Sequence, residues 1–287
     1  MTGPPPERAD TDCLRALACL DFLDTEPEVF IAAAAAAGFD GVTLRVTGSR
    51  TSVAGDVGRD PGRRARVLAA LRSTGMHVLD VEVLRLRCDL TAGEIRSVID
   101  GAAELGAPRV LVVDSELGTD RARDLLAGIV DEASAVGVLP CLEPMAFTAC
   151  RTLSDALATA VPAGAGVLVD ALHLHRSGGT PADVAAAVTA CGDACMPYVQ
   201  LCDASWEPPG HESGGENDAL RREAIGRRLL PGHGDLDLMG LLAALPGRPL
   251  VVEAPTAGSA AMSPEARATA AATALTELLD NFYQTIA

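Results

Sequence analysis

The chain has 287 residues, of which 48% are hydrophobic and 22% charged, so it can build a sizeable core and is not expected to be disordered. Its net charge of −16 disfavours nucleic-acid binding, because an acidic surface repels phosphate backbones. No apolar run approaches the roughly 18 residues of a membrane span, and the first residues lack the pattern of a signal peptide. We therefore expect a cytoplasmic protein whose partner is a small molecule, with neither nucleic acid nor membrane as a partner.

Short apolar runs alternate with longer amphipathic stretches along the chain, as expected for strands followed by helices. The predicted strands are Ala16–Leu20, Gly41–Val46, His77–Leu84, Arg109–Val113, Val138–Glu143, Ala165–Asp170, Tyr198–Leu201 and Pro249–Glu253. The predicted helices are Glu28–Ala37, Gly62–Thr74, Ala92–Leu105, Thr119–Val136, Leu153–Ala160, Pro181–Ala190, Ala219–Arg228 and Pro264–Phe282.

Strands that are apolar on both faces indicate a parallel sheet covered by helices. Eight strand–helix units in about 270 residues fit a closed (β/α)8 barrel. We predict an α/β protein with one barrel domain over residues 1–287, of which residues 1–13 form an N-terminal tail. An open doubly wound sheet is the alternative, but its glycine-rich phosphate-binding turn is missing, since Asp21-Phe22-Leu23-Asp24 follows the first strand.

One connection is much longer than the others. It runs over residues 203–248, as a side insertion between the seventh strand and the eighth helix, and contains the segments WEPPGHESGGEND and RRLLPGHGDLDL. Loops of this length and composition often serve as lids or binding loops. We therefore predict an insertion that serves as a lid or a binding loop, with partial disorder as the alternative, and no second domain.

Four consecutive predicted strands end in a side chain that offers an oxygen ligand. These residues are Glu143, Asp170, Gln200 and Glu253. The carboxyl ends of barrel strands meet at one face, where active sites form. Carboxylates buried there need a positively charged partner, either a basic side chain or a metal ion. Hard oxygen ligands favour Mn²⁺, Mg²⁺ or Co²⁺. The alternative is that each side chain caps its strand or pairs with an arginine of the barrel.

With these positions assigned, the chain resembles the xylose-isomerase-like TIM barrels, the sugar isomerase/epimerase superfamily, over roughly residues 15–285. The residues that carry the resemblance are Leu-Glu143-Pro, Asp170-Ala-Leu-His173, Arg176-Ser-Gly-Gly179, Val-Gln200-Leu-Cys-Asp203, Pro231-Gly-His-Gly-Asp235-Leu and Val-Val-Glu253.

The resemblance implies a single divalent metal ion held by Glu143, Asp170, Gln200 and Glu253. Many sugar epimerases have histidine where this chain has Gln200. Glutamine at this position is similar to the hydroxypyruvate isomerases and the bacterial 3-dehydroshikimate dehydratases. The resemblance also implies a homodimer.

The strand-end residues and the family resemblance together imply that a proton is removed from a carbon next to a carbonyl group and that the metal ion stabilises the resulting enediolate. Glu143 and Glu253 are the predicted proton-transfer groups, and His173 is predicted to stabilise charge on a substrate oxygen or to support a carboxylate ligand. The predicted substrate-binding residues are Glu82, Arg45, Arg176 and Arg228. For each of these four, an ion pair within this acidic chain is the alternative explanation.

Three functions stay open from the sequence. The first is a metal-dependent isomerase or epimerase of a small polyhydroxy carbonyl compound. The second is a metal-dependent lyase, a dehydratase of the 3-dehydroshikimate type, which uses the same enediolate but expels a hydroxyl group. The third is a sugar-binding barrel without catalytic activity. A DNA-cleaving relative with three zinc ions is excluded, because this chain has only five histidines.

Overall fold

The computed structural model describes residues 13–47, 57, 60–210 and 215–286. The predicted N-terminal tail therefore lies outside the described residues apart from Cys13. The strands are β1 Arg15–Leu17, β2 Gly41–Arg45, β3 His77–Leu86, β4 Arg109–Asp114, β5 Leu139–Leu142, β6 Gly166–Val167, β7 Val169–Asp170, β8 Val199–Leu201 and β9 Leu250–Val252. All eight predicted strands are present, and the sixth is divided into β6 and β7.

The strands form one parallel sheet in the order β6-β5-β4-β3-β2-β1-β9-β8-β7. Only Leu168 separates β6 from β7, and its backbone N–H donates to the carbonyl of Leu142 at 3.0 Å. The two short strands at the ends of the order are thus halves of one barrel strand. The sheet is consequently a nearly closed barrel, and the prediction of an α/β TIM-barrel fold is confirmed.

Helices cover the outside of the barrel. They are α1 Pro27–Ala36, α2 Pro61–Thr74, α3 Ala92–Glu104, α4 Thr119–Ser134, α5 Leu153–Ala163, α6 Ala171–Arg176, α7 Pro181–Cys191, α8 Glu216–Gly226, α9 Leu238–Ala244 and α10 Pro264–Ile286. The short helices α6 and α9 were not predicted from the sequence. Within the described ranges, no helix has both the length and the apolar character needed to cross a membrane.

The ends of several helices are encoded locally. Thr91, Thr152 and Thr180 each cap a helix, with an acidic side chain three residues later bonding back to the cap, which satisfies backbone N–H groups that the helix leaves unpaired. Gly75 ends α2 with a φ of 71°, a left-handed conformation that glycine adopts without steric cost.

The core has two layers. The larger apolar cluster fills the space between the sheet and the helices. A smaller cluster lies inside the barrel and includes Leu79, Leu111, Leu168, Tyr198 and Val251. The filled barrel interior forms a floor, so the polar side chains at the carboxyl ends of the strands face an open mouth.

The long connection over residues 203–248 is held together by hydrogen bonds between its own residues, centred on Asp203. Asp203, which is 1% exposed, accepts hydrogen bonds from the backbone N–H groups of Ala204, Gly232 and Leu236 at 2.8–3.1 Å. Asp203 and Leu229 also exchange backbone hydrogen bonds of 2.8 and 2.7 Å. A Cβ atom at Gly234 would collide with the carbonyl of Ala204. The Pro-Gly-His-Gly motif is thus explained by close packing of the backbone.

Candidate active site

A cavity of about 470 Å³ opens at the carboxyl end of the barrel strands. Its walls include Glu82, Glu143, His173, Arg228 and Glu253. These residues come from β3, from the ends of β5 and β9, from α6 and from the long connection. The structure therefore brings together residues that are up to 171 positions apart, from 82 to 253, in one concave site.

Three potential ligands converge at one side of this cavity. One ligand atom each from Glu143, Asp170 and His173 lie within 4.8 Å of one another, and all three residues are buried. Asp170 ends β7 and caps α6, because its Oδ1 accepts from the backbone N–H of His173 at 2.9 Å. This cap fixes the turn that directs the imidazole ring toward Glu143, with Nε2 3.8 Å from Oε1.

Gln200 and Glu253 extend the cluster across the neighbouring strands. Gln200 lies opposite Asp170 in the register of β7 and β8, and its Nε2 donates to Oε1 of Glu253 at 3.3 Å. The amide oxygen of Gln200 is buried and has no hydrogen-bond partner among the described residues. An amide oxygen left unpaired in a buried site is costly, unless it faces a cation.

Arg228 lies between two of the carboxylates. Its Nη1 is 2.5 Å from Oδ2 of Asp170 and its Nη2 is 2.9 Å from Oε2 of Glu253. The guanidinium also donates from Nε to the carbonyl of Ala224 at 2.7 Å. The side chain is 2% exposed, so the long connection delivers a fully desolvated positive charge into the barrel mouth.

Burial and mutual repulsion control the protonation of these groups. Burial raises the pKa of Glu143 well above its ordinary value, and the charges of Glu253 and Asp170 raise it further. Burial raises the pKa of Glu253 to about 8, although Arg228 acts in the opposite direction. Burial also opposes ionisation of Asp170, but the charge and hydrogen bond of Arg228, together with the charge and backbone N–H of His173, hold that pKa below its usual range. Burial lowers the pKa of His173 to about 4, so its ring is neutral at pH 7.

These features fit a divalent cation. One arginine pairs with two of the three buried carboxyl groups and leaves Glu143 without such a partner, and burial together with the excess of acid keeps the pKa values of Glu143 and Glu253 high. The unpaired amide oxygen of Gln200 adds a fourth oxygen ligand. Oxygen ligands with an adjacent imidazole are a ligand set typical of Mg²⁺, Mn²⁺ or Zn²⁺ sites. The structure therefore presents a candidate divalent-metal site and leaves the identity of the ion open.

The remaining predicted site residues divide into two groups. Glu82 and Arg45 line the cavity and pair with each other at 3.2 Å, and Glu82 also accepts a hydrogen bond of 2.5 Å from Thr43. Arg176 lies outside the cavity lining, where both its Nε and Nη2 contact the carboxylate of Glu223 at 2.8 and 2.7 Å. The structure thus gives Arg176 the ion-pair role that the sequence left open.

Two arginines of the cavity were not singled out from the sequence. Arg85 and Arg221 both line it. Arg85 directly follows the predicted strand His77–Leu84, from which only Glu82 was predicted as a site residue, and Arg221 lies in no motif. The signal that could have identified Arg221 is helical spacing, because Arg221, Ala224, Ile225 and Arg228 recur every three or four residues and all face the cavity.

The comparisons with known proteins agree with this architecture. The family model described as "Xylose isomerase-like TIM barrel" matches residues 31–278. The chain belongs to this family. No curated protein matches the chain.

Several solved structures share the fold. The chain is 21% identical to a xylose isomerase-like TIM barrel/4-hydroxyphenylpyruvate dioxygenase fusion protein, with a TM-score of 0.74 over 94% of this chain and 43% of that one. The chain thus spans less than half of the fusion protein. The IolI protein, solved with a bound zinc atom, has a TM-score of 0.75, 15% identity and coverage of 94% of this chain and 99% of its own. The probable 3-DHS dehydratase AsbF, involved in petrobactin synthesis in Bacillus anthracis, has a TM-score of 0.66, 12% identity and coverage of 92% and 98%.

Proposed function

We propose that the protein is a divalent-metal-dependent isomerase or epimerase of a small polyhydroxy carbonyl compound, acting through an enediolate. The observation that carries the proposal is the cavity with Glu143, His173 and Glu253 in its walls and the unpaired oxygen of Gln200 among the neighbouring ligands. The family is described by its likeness to an isomerase, and the zinc atom bound by IolI, which shares the fold, supports a metal ion in this chain.

The metal ligands in this proposal are Glu143, Asp170, Gln200 and Glu253. A divalent ion held there supplies Lewis acidity, which makes a hydrogen next to a substrate carbonyl acidic and favours the ionised form of nearby carboxyl groups. Mn²⁺, Mg²⁺ and Co²⁺ are the ions we propose from the oxygen-rich ligand set.

Glu143 is the proposed base. Among the described residues the basic side chain within 4.0 Å of its carboxylate is His173, at 3.8 Å, so no arginine holds Glu143 away from a substrate carbon. Glu143 removes the proton, the electron pair of the C–H bond forms the enediolate, and neutral His173 donates a hydrogen bond to a substrate oxygen. If Glu143 returns the proton to the neighbouring carbon the product is an isomer. If protonated Glu253 instead donates its own proton to the same carbon from the opposite face, while Glu143 keeps the proton it removed, the product is an epimer.

A second candidate, a dehydratase, is favoured by one specific feature. Both carboxylate oxygens of Glu253 are engaged, by Arg228 and by Gln200, whereas Glu143 is not held in this way. Epimerisation needs two proton-transfer groups, but an elimination can use Glu143 alone, which takes the proton and passes it to a leaving β-hydroxyl group. The carbon–oxygen bond then breaks, a carbon–carbon double bond remains and water leaves. The fold that the chain shares with AsbF is compatible with this chemistry.

One experiment separates these functions. The protein is incubated in D₂O with Mg²⁺, Mn²⁺ or Co²⁺, and with a chelator as control, against ketopentoses, ketohexoses, hydroxypyruvate, an inosose and dehydroshikimate. Mass spectrometry is expected to show metal-dependent gain of one deuterium on carbon without any other change in mass. Loss of one water molecule would instead assign a dehydratase.

Two variants show whether the assay reports on this site. Glu143→Gln is expected to abolish exchange. Glu223→Gln, which lies outside the cavity and pairs with Arg176, is the matched control and is expected to retain it. Absence of both deuterium exchange and water loss for every compound in metal-loaded protein would contradict both reactions and favour a non-catalytic sugar-binding barrel.

A further inference from the structure

The cavity is lined by several positively charged side chains to which the proposed reaction assigns no role. Four arginines line the cavity, namely Arg45, Arg85, Arg221 and Arg228. Arg45 is paired with Glu82, and Arg228 with Asp170 and Glu253. The acid partners of these two arginines are buried near the floor of the cavity.

Arg85 and Arg221 are different. Among the residues that the structure describes, no carboxylate lies within 4.0 Å of either guanidinium, although the chain contains 39 acidic residues. Both side chains belong to exposed residues at the mouth of the cavity. Two cationic groups thus face one cavity without an acid in contact.

Their positions follow from two separate elements. Strand β3 runs on to Leu86, and this extension carries Arg85 beyond Glu82 toward the cavity mouth. Arg221 lies on α8, seven positions before Arg228 and on the same cavity-facing side of the chain. The two side chains therefore approach the mouth from the barrel and from the long connection.

The electrostatics of this arrangement are unfavourable without an anion. Partial desolvation of the guanidinium within the cavity lowers the pKa of Arg85, and the positive charges of Arg45 and Arg221 lower it further, while Glu143 and Glu82 act in the opposite direction. Like charges that face one cavity attract an anionic ligand. Guanidinium groups bind carboxylate or phosphate oxygens through paired hydrogen bonds.

We propose that Arg85 and Arg221 bind an anionic group of the substrate, a carboxylate or a phosphate, at the cavity mouth. This proposal rests on the proposed function, which places the carbonyl and hydroxyl oxygens at the other end of the substrate near Glu143 and His173. It narrows the substrate class from polyhydroxy carbonyl compounds in general to those that carry a negative charge. The acidic floor and the basic rim would then orient such a molecule in one direction.

The test measures binding and does not depend on turnover. Isothermal titration of the metal-loaded protein compares three ligands that share a hydroxy-carbonyl group: neutral dihydroxyacetone, hydroxypyruvate with a carboxylate, and dihydroxyacetone phosphate. We expect one of the anions, or both, to bind at least about 10-fold more tightly than dihydroxyacetone, as a guanidinium–anion contact provides. The preferred anion distinguishes a carboxylate site from a phosphate site.

The variants are Arg85→Gln, Arg221→Gln and the double variant. The double variant is expected to lose most of the preference for the anion and to bind dihydroxyacetone as the wild type does. Arg87→Gln is the control: it makes the same change in charge close to Arg85, but Arg87 pairs with Asp89 and Glu94 and does not line this cavity. It should keep the preference. A thermal unfolding curve for each variant verifies that it is folded.

Three results would overturn the proposal: neither anion binds more tightly than dihydroxyacetone, the double variant keeps the preference, or it weakens neutral and anionic ligands equally. A failure of the proposed function has a different signature. In that case no compound exchanges deuterium, but the anion preference and its loss in the double variant are still observed.

Discussion

Replacement of Arg228 by methionine tests the electrostatic account of the site most directly. The substitution keeps an apolar stem and removes the charge that lies 2.5 Å from Asp170 and 2.9 Å from Glu253. Both carboxylates are nearly inaccessible to water, with 0% and 6% of their side chains exposed. Without Arg228 no arginine compensates the charges of these two carboxylates, so the free energy of unfolding should fall.

The expected size of the loss follows from the burial of the pair. Removing one partner of a buried ion pair costs about 3–5 kcal/mol, because the remaining charge is left uncompensated. The loss should reach this size in the presence of a chelator at pH 7.5. A divalent ion neutralises the same carboxylates, and an ion at about 100 times its dissociation constant stabilises the folded state by about 2.7 kcal/mol. Without the competing guanidinium, Arg228→Met should also bind the ion more tightly than the wild type.

Urea unfolding of wild type and variant, each with EDTA and with Mn²⁺, measures these differences. Arg176→Met is the matched control, since Arg176 forms an equally buried ion pair with Glu223 outside the cavity. The destabilisation caused by Arg176→Met should be the same with and without the ion, whereas that caused by Arg228→Met should shrink when the ion is added. Equal destabilisation of Arg228→Met in both conditions would show that the ion does not bind at Asp170 and Glu253, and would refute the assignment of this site.

Three further predictions concern neighbouring residues. Glu253→Gln should abolish epimerase turnover while urea unfolding stays cooperative; unchanged turnover would remove Glu253 from proton transfer. Gln200→His should retain metal, measured by mass spectrometry of the purified protein, because imidazole also binds these ions; an insoluble variant would indicate a structural role instead. Burial and then the charge of Glu82 raise the pKa of Asp80 from 3.8 to about 8, so the folded state holds a proton that the unfolded state releases. The stability contributed by protonated Asp80 is therefore complete below about pH 4 and is lost as the pH rises toward 8. Asp80→Asn should stabilise the protein at pH 8 more than at pH 4, and a difference in unfolding free energy independent of pH would contradict this account.

Part of the fold was predictable because it is encoded locally. Each barrel strand is a short apolar run, and threonine caps such as Thr91 and Thr152 are read directly from their sequence spacing. Helix α6 was missed because it is only six residues long, Ala171–Arg176, and its cap, Asp170, is also the residue that ends β7. A residue that both ends a strand and begins a helix leaves no gap in the pattern to mark the boundary.

The candidate site was likewise predictable from the sequence only in part. The sequence by itself determined that Glu143, Asp170, Gln200 and Glu253 end consecutive strands, and parallel strands in a barrel must bring such residues to one face. Those four positions follow from order along the chain and from the polar residue at the end of each apolar run.

Only the tertiary structure decided how the arginines are used. Arg176 and Arg228 are equally plausible anion-binding residues in the sequence, but Arg176 pairs with Glu223 while Arg228 lies between two strand-end carboxylates. Arg85 and Arg221, which no motif marks, lie at the cavity mouth without an acid in contact among the described residues. The physical reason is that ion pairing depends on distance in space, which is set by how a long connection packs against the barrel and is not written in any local repeat.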